Sequence, residues 1–287
     1  MRRPDRKLAQ SFALPGVVAA YRHRPPYPDA VFATLLGLIS DKPRRVLDLG
    51  AGEGAIARRL APYVDQIDAV ELSEAMIEAG RRRPGGDAPN LHWQLGAAES
   101  CPLGGRYALV AAGASFHWFD WSQTLGRLPA AISDQAVLAL ADYELCEAPW
   151  QDQLARVIAQ FSRSTNHDPH FDIGQALEAT GHYEPLGAVT TAPTRFRQRV
   201  GDYIEQFHST ASLARELMSA HESESFDRQL TNMVAPYAHN DKLQLHVQAT
   251  VRWGASALAR RLIRTLAHPQ NDQPQDRPLW AERVLLL

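Results

Sequence analysis

Cysteine is scarce in this chain. Only Cys101 and Cys146 occur in 287 residues, and neither has the spacing of a disulfide framework or a metal-ligand set. A reducing, cytoplasmic setting is therefore expected. Charge of one sign is not in surplus either: 30 Lys and Arg face 32 Asp and Glu, a formal net charge of −2. Without a basic excess to hold a polyanion, nucleic acid is not expected as a partner. Long apolar runs are also lacking. No window approaches the roughly 20 apolar residues of a membrane span, so no membrane partner is expected. The stretch from Met1 to Ala20 has a basic start and a short apolar run, loosely like an export signal. Pro15 and Gly16 interrupt that run, and Gln10 and Ser11 precede it, which argues against export. No internal repeat is found.

What is present is ordinary for a protein with a substantial core: 45% hydrophobic and 22% charged residues. Apolar or β-branched runs at 45–49, 66–72, 91–95, 107–112 and 136–141 alternate with helix-like stretches at 55–61, 73–83 and 121–132. Strands alternating with short helices predict βαβ units, hence an α/β fold with a doubly wound, mostly parallel sheet. Pro28 to Ile39 reads as an amphipathic helix before the first strand. After residue 145 the pattern changes: 148–182 and 200–240 look mostly helical, with strands at 185–192 and 246–253. The expected division is an N-terminal segment with the first helix (1–40), an α/β core (41–147), a largely helical stretch with two further strands (148–254) and a C-terminal extension (255–287).

The segment Arg44 to Leu60, RRVLDLGAGEGAIARRL, leads from a strand through glycines into a helix. Gly50, Gly52 and Ala55 satisfy the loose dinucleotide pattern G-x-G-x-x-G/A, a weak match on its own. Asp48 separates the readings. Beneath a pyrophosphate a carboxylate would repel the ligand and be costly to bury. It makes sense where the ligand brings a positive charge, as S-adenosylmethionine does with its α-ammonium group. The string Asp48-Leu49-Gly50-Ala51-Gly52-Glu53-Gly54 resembles the glycine loop of class I S-adenosylmethionine-dependent methyltransferases. Glu71 stands about 20 positions further on, at the end of the second strand, where an acid accepts both ribose hydroxyls.

Two further segments resemble a small-molecule branch of that family, similar to the trans-aconitate methyltransferase group. One is Tyr21-Arg22-His23-Arg24-Pro25-Pro26-Tyr27-Pro28 before the first helix. The other is Ser115-Phe116-His117-Trp118-Phe119-Asp120 after the fourth strand. Trp253-Gly254 also looks like that branch's ending. The resemblance implies a Rossmann-like core over 41–147, an N-terminal lid within 1–40, and over 148–254 a helical cap whose two strands close the sheet as an antiparallel hairpin. The resemblance implies S-adenosylmethionine as cofactor, S-adenosylhomocysteine as product, and a small-molecule acceptor methylated at oxygen or nitrogen. It implies a cofactor site of Tyr21, Asp48, Gly50, Gly52, Glu71, Leu72, Ala98 and Ser115. Family members often carry an acid for the adenine amino group where this chain has Ala97. Backbone near Ala98 and packing against Leu72 would have to hold the adenine here.

Methyl transfer is an in-line displacement that mainly requires alignment and exclusion of water. His117 is a candidate base or an orienting group. Tyr21, Phe116, His117, Trp118 and His208 are candidate acceptor contacts. Asn166-His167-Asp168-Pro169-His170 reads as a polar loop, because Pro169 breaks any helical pairing of ligands and no second ligand set appears; no metal is expected. Two other readings stay open. One is a nicotinamide-dependent oxidoreductase, from the loose glycine pattern. The other is a non-catalytic protein that keeps the fold, from the missing acid at Ala97.

Overall fold

The computed structural model describes residues 6–164 and 172–256. The Asn166 to His170 loop and nearly all of the C-terminal extension lie outside the described residues. A 3-10 segment, Arg6–Ala13, leads into α1 (Pro15–Tyr21) and α2 (Asp29–Gly37). There follow β1 (Arg45–Leu49), α3 (Ala57–Leu60), β2 (Gln66–Glu71), α4 (Glu74–Arg81), β3 (Leu91–Leu95), β4 (Tyr107–Gly113), α5 (Trp121–Arg127) and β5 (Ile132–Cys146). The second half holds α6 (Gln151–Phe161), α7 (Ile173–Glu178), β6 (Tyr183–Thr190), β7 (Thr194–Arg199), α8 (Val200–His208), α9 (Ala220–Val234) and β8 (Lys242–Ser256).

The strands form one sheet in the order β3-β2-β1-β4-β5-β8-β6, with β7 also paired to β8. The first five run parallel, and β8 is antiparallel to β5, β6 and β7. The order reverses at β1 and β4, so a crevice opens beyond their carboxyl ends, where α/β sheets of this kind bind ligands. Burial explains the central strands. Both faces of β1 are covered: Val46 packs into one apolar cluster with Val31, Leu35 and Leu60, while Leu47 and Leu49 enter another with Tyr107 and Trp121. Each fully buried aliphatic side chain of this kind stabilises the fold by about 1.5–3 kcal/mol.

Helix starts follow local chemistry. Ser73 caps α4 by accepting from Met76 N–H, and Asp120 caps α5 by accepting from Gln123 N–H. Ser219 and Glu222 form a reciprocal capping box on α9. A third cluster, around Tyr203, Phe226 and Leu230, belongs to the helical cap. Strand β8 ties cap to core: Leu243 and Leu245 pack among the cap helices, whereas Ala249 and Val251 pack in the sheet core.

Three details depart from the sequence reading. Strands β5 and β8 are longer than the apolar runs that marked them, because both continue as a paired ribbon beyond the parallel sheet. Strand β7 was not anticipated. Its sequence, Thr-Arg-Phe-Arg-Gln-Arg, carries three arginines, and its only apolar side chain, Phe196, packs against the cap cluster. The helix expected over 55–61 is a single α turn followed by a 3-10 turn at Ala61–Tyr63.

Candidate active site at the carboxyl ends of the parallel strands

The loop after β1 needs backbone that only glycine adopts cheaply. Gly50 and Gly52 have φ of +66° and +57°. A Cβ on Gly50 would lie 2.7 Å from Ser115 Cβ, and one on Gly52 would lie 3.1 Å from Tyr21 Oη. Ala114, just past β4, also sits in the left-handed region at φ +48°, a strained position of the kind found at functional sites.

A cavity of about 430 Å³ lies over this loop, lined by Gly50, Gly52, Glu71, Leu72, Ala97, Ala98, Ser115, Trp118 and Phe119. The N-terminal segment roofs it with Ala9, Gln10, Phe12, Ala13 and Tyr21. Glu71 is buried at the end of β2, where its carboxylate accepts from Gly52 N–H at 2.8 Å and Ser73 N–H at 2.9 Å. It thus fixes the glycine loop against the start of α4. Burial pushes its pKa up, against the opposing pull of those backbone hydrogen bonds. Leu72 is 58% exposed although it is a large aliphatic residue, and the surface it shows faces this chamber. Ser115 donates to the carbonyl of Leu49 at 2.7 Å, which locks the β4 end onto the β1 end.

A second cavity of about 270 Å³ adjoins the first. It is lined by Tyr21, Arg24, Tyr27, Asp48, Ile56 and Tyr143, among others, and shares Tyr21, Gly50 and Ala114 with the first chamber. Asp48 is buried here. One oxygen accepts from Ala57 N–H at 3.0 Å, but burial still raises its pKa to about 7. A cation placed nearby would relieve that cost. Tyr27 donates to the carbonyl of Ala141 at 3.1 Å and packs edge-on against Tyr143. The Arg24 guanidinium lies 4.0 Å above the Tyr21 ring centroid.

The structure gathers Tyr21, Asp48, Gly50, Gly52, Glu71, Leu72, Ala98, Ser115 and Trp118 on the walls of these chambers. His117 lies off both walls, with its ring tilted against Trp118 at 4.8 Å between centroids. Burial, and then the field of Arg24, pushes its pKa down to about 4. It is neutral near pH 7, and a conjugate acid that strong makes a weak base. The placement favours an orienting role over a base.

Two expected acceptor contacts are corrected. Phe116 is fully buried, stacked with Trp121 and edge-on to Phe119, so it is core, and Phe119 takes its place on the chamber wall. His208 is buried inside the cap. Its Nδ1 faces the carbonyl of Leu213 and its Nε2 faces Asp227, each at 2.8 Å, and it lines neither chamber. The sequence reading also left out Tyr143, which lies on β5 beyond the apolar run that marked the strand, and Phe12 in the roof. Arg24 and Tyr27 were visible only as parts of a motif, without a role.

An acid-glycine loop at the switch point, a second acid at the end of β2 and a roofed crevice stand where α/β sheets of this kind bind ligands. The methyltransferase domain family matches residues 46–134, which run from β1 into β5. A Dictyostelium discoideum protein bearing a methyltransferase name is 24% identical over 205 residues, 71% of this chain and 68% of that protein. A malonyl-[acyl-carrier protein] O-methyltransferase of Halalkalibacterium halodurans is 29% identical over 110 residues, 36% of this chain and 40% of that protein. Among solved structures, one named as a type II methyltransferase from Anaeromyxobacter dehalogenans shares the fold. It has a TM-score of 0.59 and 19% identity over 81% of this chain and 97% of that one. Residues 46–134 thus match the methyltransferase domain family, and the fold around them is shared with a solved structure that is named as a methyltransferase. No described helix is long and apolar enough to cross a membrane.

Proposed function

We propose that the protein transfers a methyl group from S-adenosylmethionine to an oxygen or nitrogen of a small-molecule acceptor in the cytoplasm. One observation carries this reading. The first chamber meets the second at Gly50, Tyr21 and Ala114, so a methyl donor lying over the glycine loop has a separate, walled space beyond its reactive end. The cofactor supplies a methyl carbon already activated by the sulfonium charge. The protein's task is alignment and dryness.

In this reading Glu71 accepts the ribose hydroxyls, Leu72 and Ala98 pack against the adenine, and Asp48 faces the α-ammonium group. Gly50 and Gly52 let the backbone approach the methionine part of the cofactor, and Ser115 holds the loop in register. Tyr21 separates the chambers and Trp118 walls the first. His117 orients Trp118. The 1–40 and 148–254 segments cover the crevice. Their contact supports the closed form: Gly16 N–H donates to Glu216 at 2.6 Å, and Gln198 donates to the carbonyl of His23 at 2.7 Å. A second chamber of about 270 Å³, walled by Tyr21, Tyr27, Phe32 and Tyr143 together with charged side chains, suits a small ligand. The name of the Halalkalibacterium relative, an O-methyltransferase, supports oxygen as an acceptor atom. Both cysteines are unpaired, which supports a reducing compartment.

The test is incubation with methyl-tritiated S-adenosylmethionine and a panel of small phenols, carboxylic acids and amines, with release of S-adenosylhomocysteine measured in parallel. Label transfer to a small acceptor is expected. Turnover of proteins or nucleic acids alone would overturn the proposal, and binding without any turnover would favour a non-catalytic role.

A further inference from the structure

Strand β7 carries its charge on one face. Arg195, Arg197 and Arg199 alternate along it, so they point to the same side of the sheet, and all three are exposed. The opposite side is occupied: Phe196 packs on the cap cluster, and the Gln198 side chain donates to the carbonyl of His23 at 2.7 Å. The arginines therefore stand on a strand that is held from behind. Directly across the ladder on β8 they meet His246, Gln244 and Lys242, none of them an acid. Arg199 and Lys242 are like charges placed opposite each other, an arrangement that costs stability. Arg199 pairs with Asp202 at 3.0 Å and His246 with Glu147 at 3.1 Å. Among the described residues no carboxylate pairs with Arg195, Arg197 or Lys242.

The backbone of the same residues is open. β7 and β8 pair antiparallel, and Val200 N–H continues their register by donating to the carbonyl of Asp241 at 3.0 Å. In such a ladder hydrogen-bonded and non-hydrogen-bonded pairs alternate. Counting back by twos from Val200, the backbone groups of Gln198 and Phe196 turn toward β8, and those of Arg197 and Arg195 turn to the outer edge. Among the described residues β8 is the only strand that pairs with β7. The outer edge thus offers free backbone donors and acceptors on the very residues whose guanidinium groups lack an acid. In a strand added there, the residues opposite Arg195 and Arg197 share the arginine face, and carboxylates at those places complete two cross-strand ion pairs. We propose that the outer edge of β7 docks an extended acidic segment of a partner protein, added as a further strand with carboxylates at alternate positions. The arginines disfavour pairing with strands of other composition. Neither Arg195 nor Arg197 lines a chamber, so a docked segment leaves both chambers open.

Fluorescence anisotropy on the full chain tests this with four labelled heptapeptides. One has glutamate at alternate positions with valine and threonine between. The second has the same composition with its glutamates contiguous, and the third has lysine in place of glutamate. The fourth is the alternating peptide with its edge-facing amides N-methylated. The alternating peptide is expected to bind saturably and about tenfold or more tighter than each of the others, which lack either the paired charges or the ladder. In the double variant Arg195→Glu, Arg197→Glu both ion pairs become like-charge pairs, so the alternating glutamate peptide should weaken about tenfold or more and the lysine peptide should gain binding. That gain is an outcome misfolding does not produce. Absence of saturable binding of the alternating peptide at millimolar concentration overturns the proposal. So does equal binding of the alternating peptide and either its contiguous or its N-methylated form, which would make the arginines a plain polyanion surface. Undiminished binding of the acidic peptide by a folded double variant overturns it as well. If the double variant does not fold, the comparison of the four peptides on the wild-type protein decides.

Discussion

The two chambers that meet at Tyr21 are made from different material. The wall running from Gly50 to Ala98 is mostly loop backbone and carboxylate, drawn from consecutive turns at the ends of β1, β2 and β3. The wall around Arg24, Tyr27 and Tyr143 is made of long side chains drawn from the N-terminal segment and the extension of β5, and it is braced by Ser209 of the cap. The charged groups of the first chamber are the carboxylates of Glu71 and Glu99, whereas the second sets Asp48 and Glu53 among four arginines, Arg24 included. A fold that must bind one fixed cofactor can commit its backbone to it, whereas the acceptor site is left to side chains that vary without disturbing the sheet. The comparison predicts that damage to the first chamber acts on the cofactor and damage to the cap does not.

The largest effect is expected from Gly50→Ala. It forces a Cβ against Ser115 at a φ of +66°, a backbone state that costs a non-glycine residue about 1–2 kcal/mol before the clash is counted. S-adenosylhomocysteine affinity should fall by more than about a hundredfold, with a lowered melting temperature, since the loss adds a clash to that strain. Calorimetry and a thermal melt check it, and near-normal affinity would mean that the loop is not the cofactor's seat. Next is Glu71→Ala, which removes the proposed ribose acceptor and strands the Gly52 and Ser73 N–H groups. A loss of about 1.5–3 kcal/mol of binding, ten- to a hundredfold, is expected from equilibrium titration.

Acid should weaken cofactor binding more gently. Burial raises the Asp48 pKa to about 7. In the folded, unliganded protein its neutral form is therefore favoured, and the stability that goes with that form is lost as pH rises through about 7. A cationic ligand prefers the ionised form, so below pH 7 binding must expel a proton. Affinity should fall by up to about tenfold per pH unit between pH 7 and 5. His117, at about 4, stays neutral across that window. Proton release measured in buffers of different ionisation enthalpy checks the sign, and proton uptake would contradict it. The smallest effect on cofactor affinity is expected from His208→Ala. Loss of its hydrogen bonds to Asp227 and Leu213 should destabilise the cap by about 1.5–3 kcal/mol by chemical denaturation. S-adenosylhomocysteine affinity of the folded variant should stay within about twofold, because the residue touches neither chamber.

The same contrast explains what could be read from the sequence. Asp48, Gly50, Gly52 and Glu71 were legible because they serve local backbone needs at fixed spacing, and the parallel sheet was legible because its strands are buried on both faces. Leu72 and Ala98 entered through the family resemblance, and both line the first chamber. The second chamber had no such signal. Tyr143 and Ser209 reach it through pairing of β5 with β8 and docking of α8, contacts between segments far apart in the chain. Strand β7 was hidden by its arginines. His208 looked like a site residue because a histidine in a cap is chemically suggestive, but its two nitrogens are spent on Leu213 and Asp227. Phe116 looked like a wall because its neighbours in sequence are walls, and the 3-10 turn at Phe116–Trp118 points it inward instead.

The central claim is that a methyl-donor cofactor occupies the chamber between Gly50 and Ala98, held by Glu71. Its most direct test is titration of S-adenosylhomocysteine and of NADH, each into the wild-type protein and into Glu71→Ala. The account predicts saturable binding of S-adenosylhomocysteine that is weakened about ten- to a hundredfold by the substitution, and no comparable binding of NADH. No binding of S-adenosylhomocysteine at millimolar concentration, or equal affinity in the two folded proteins, would contradict it.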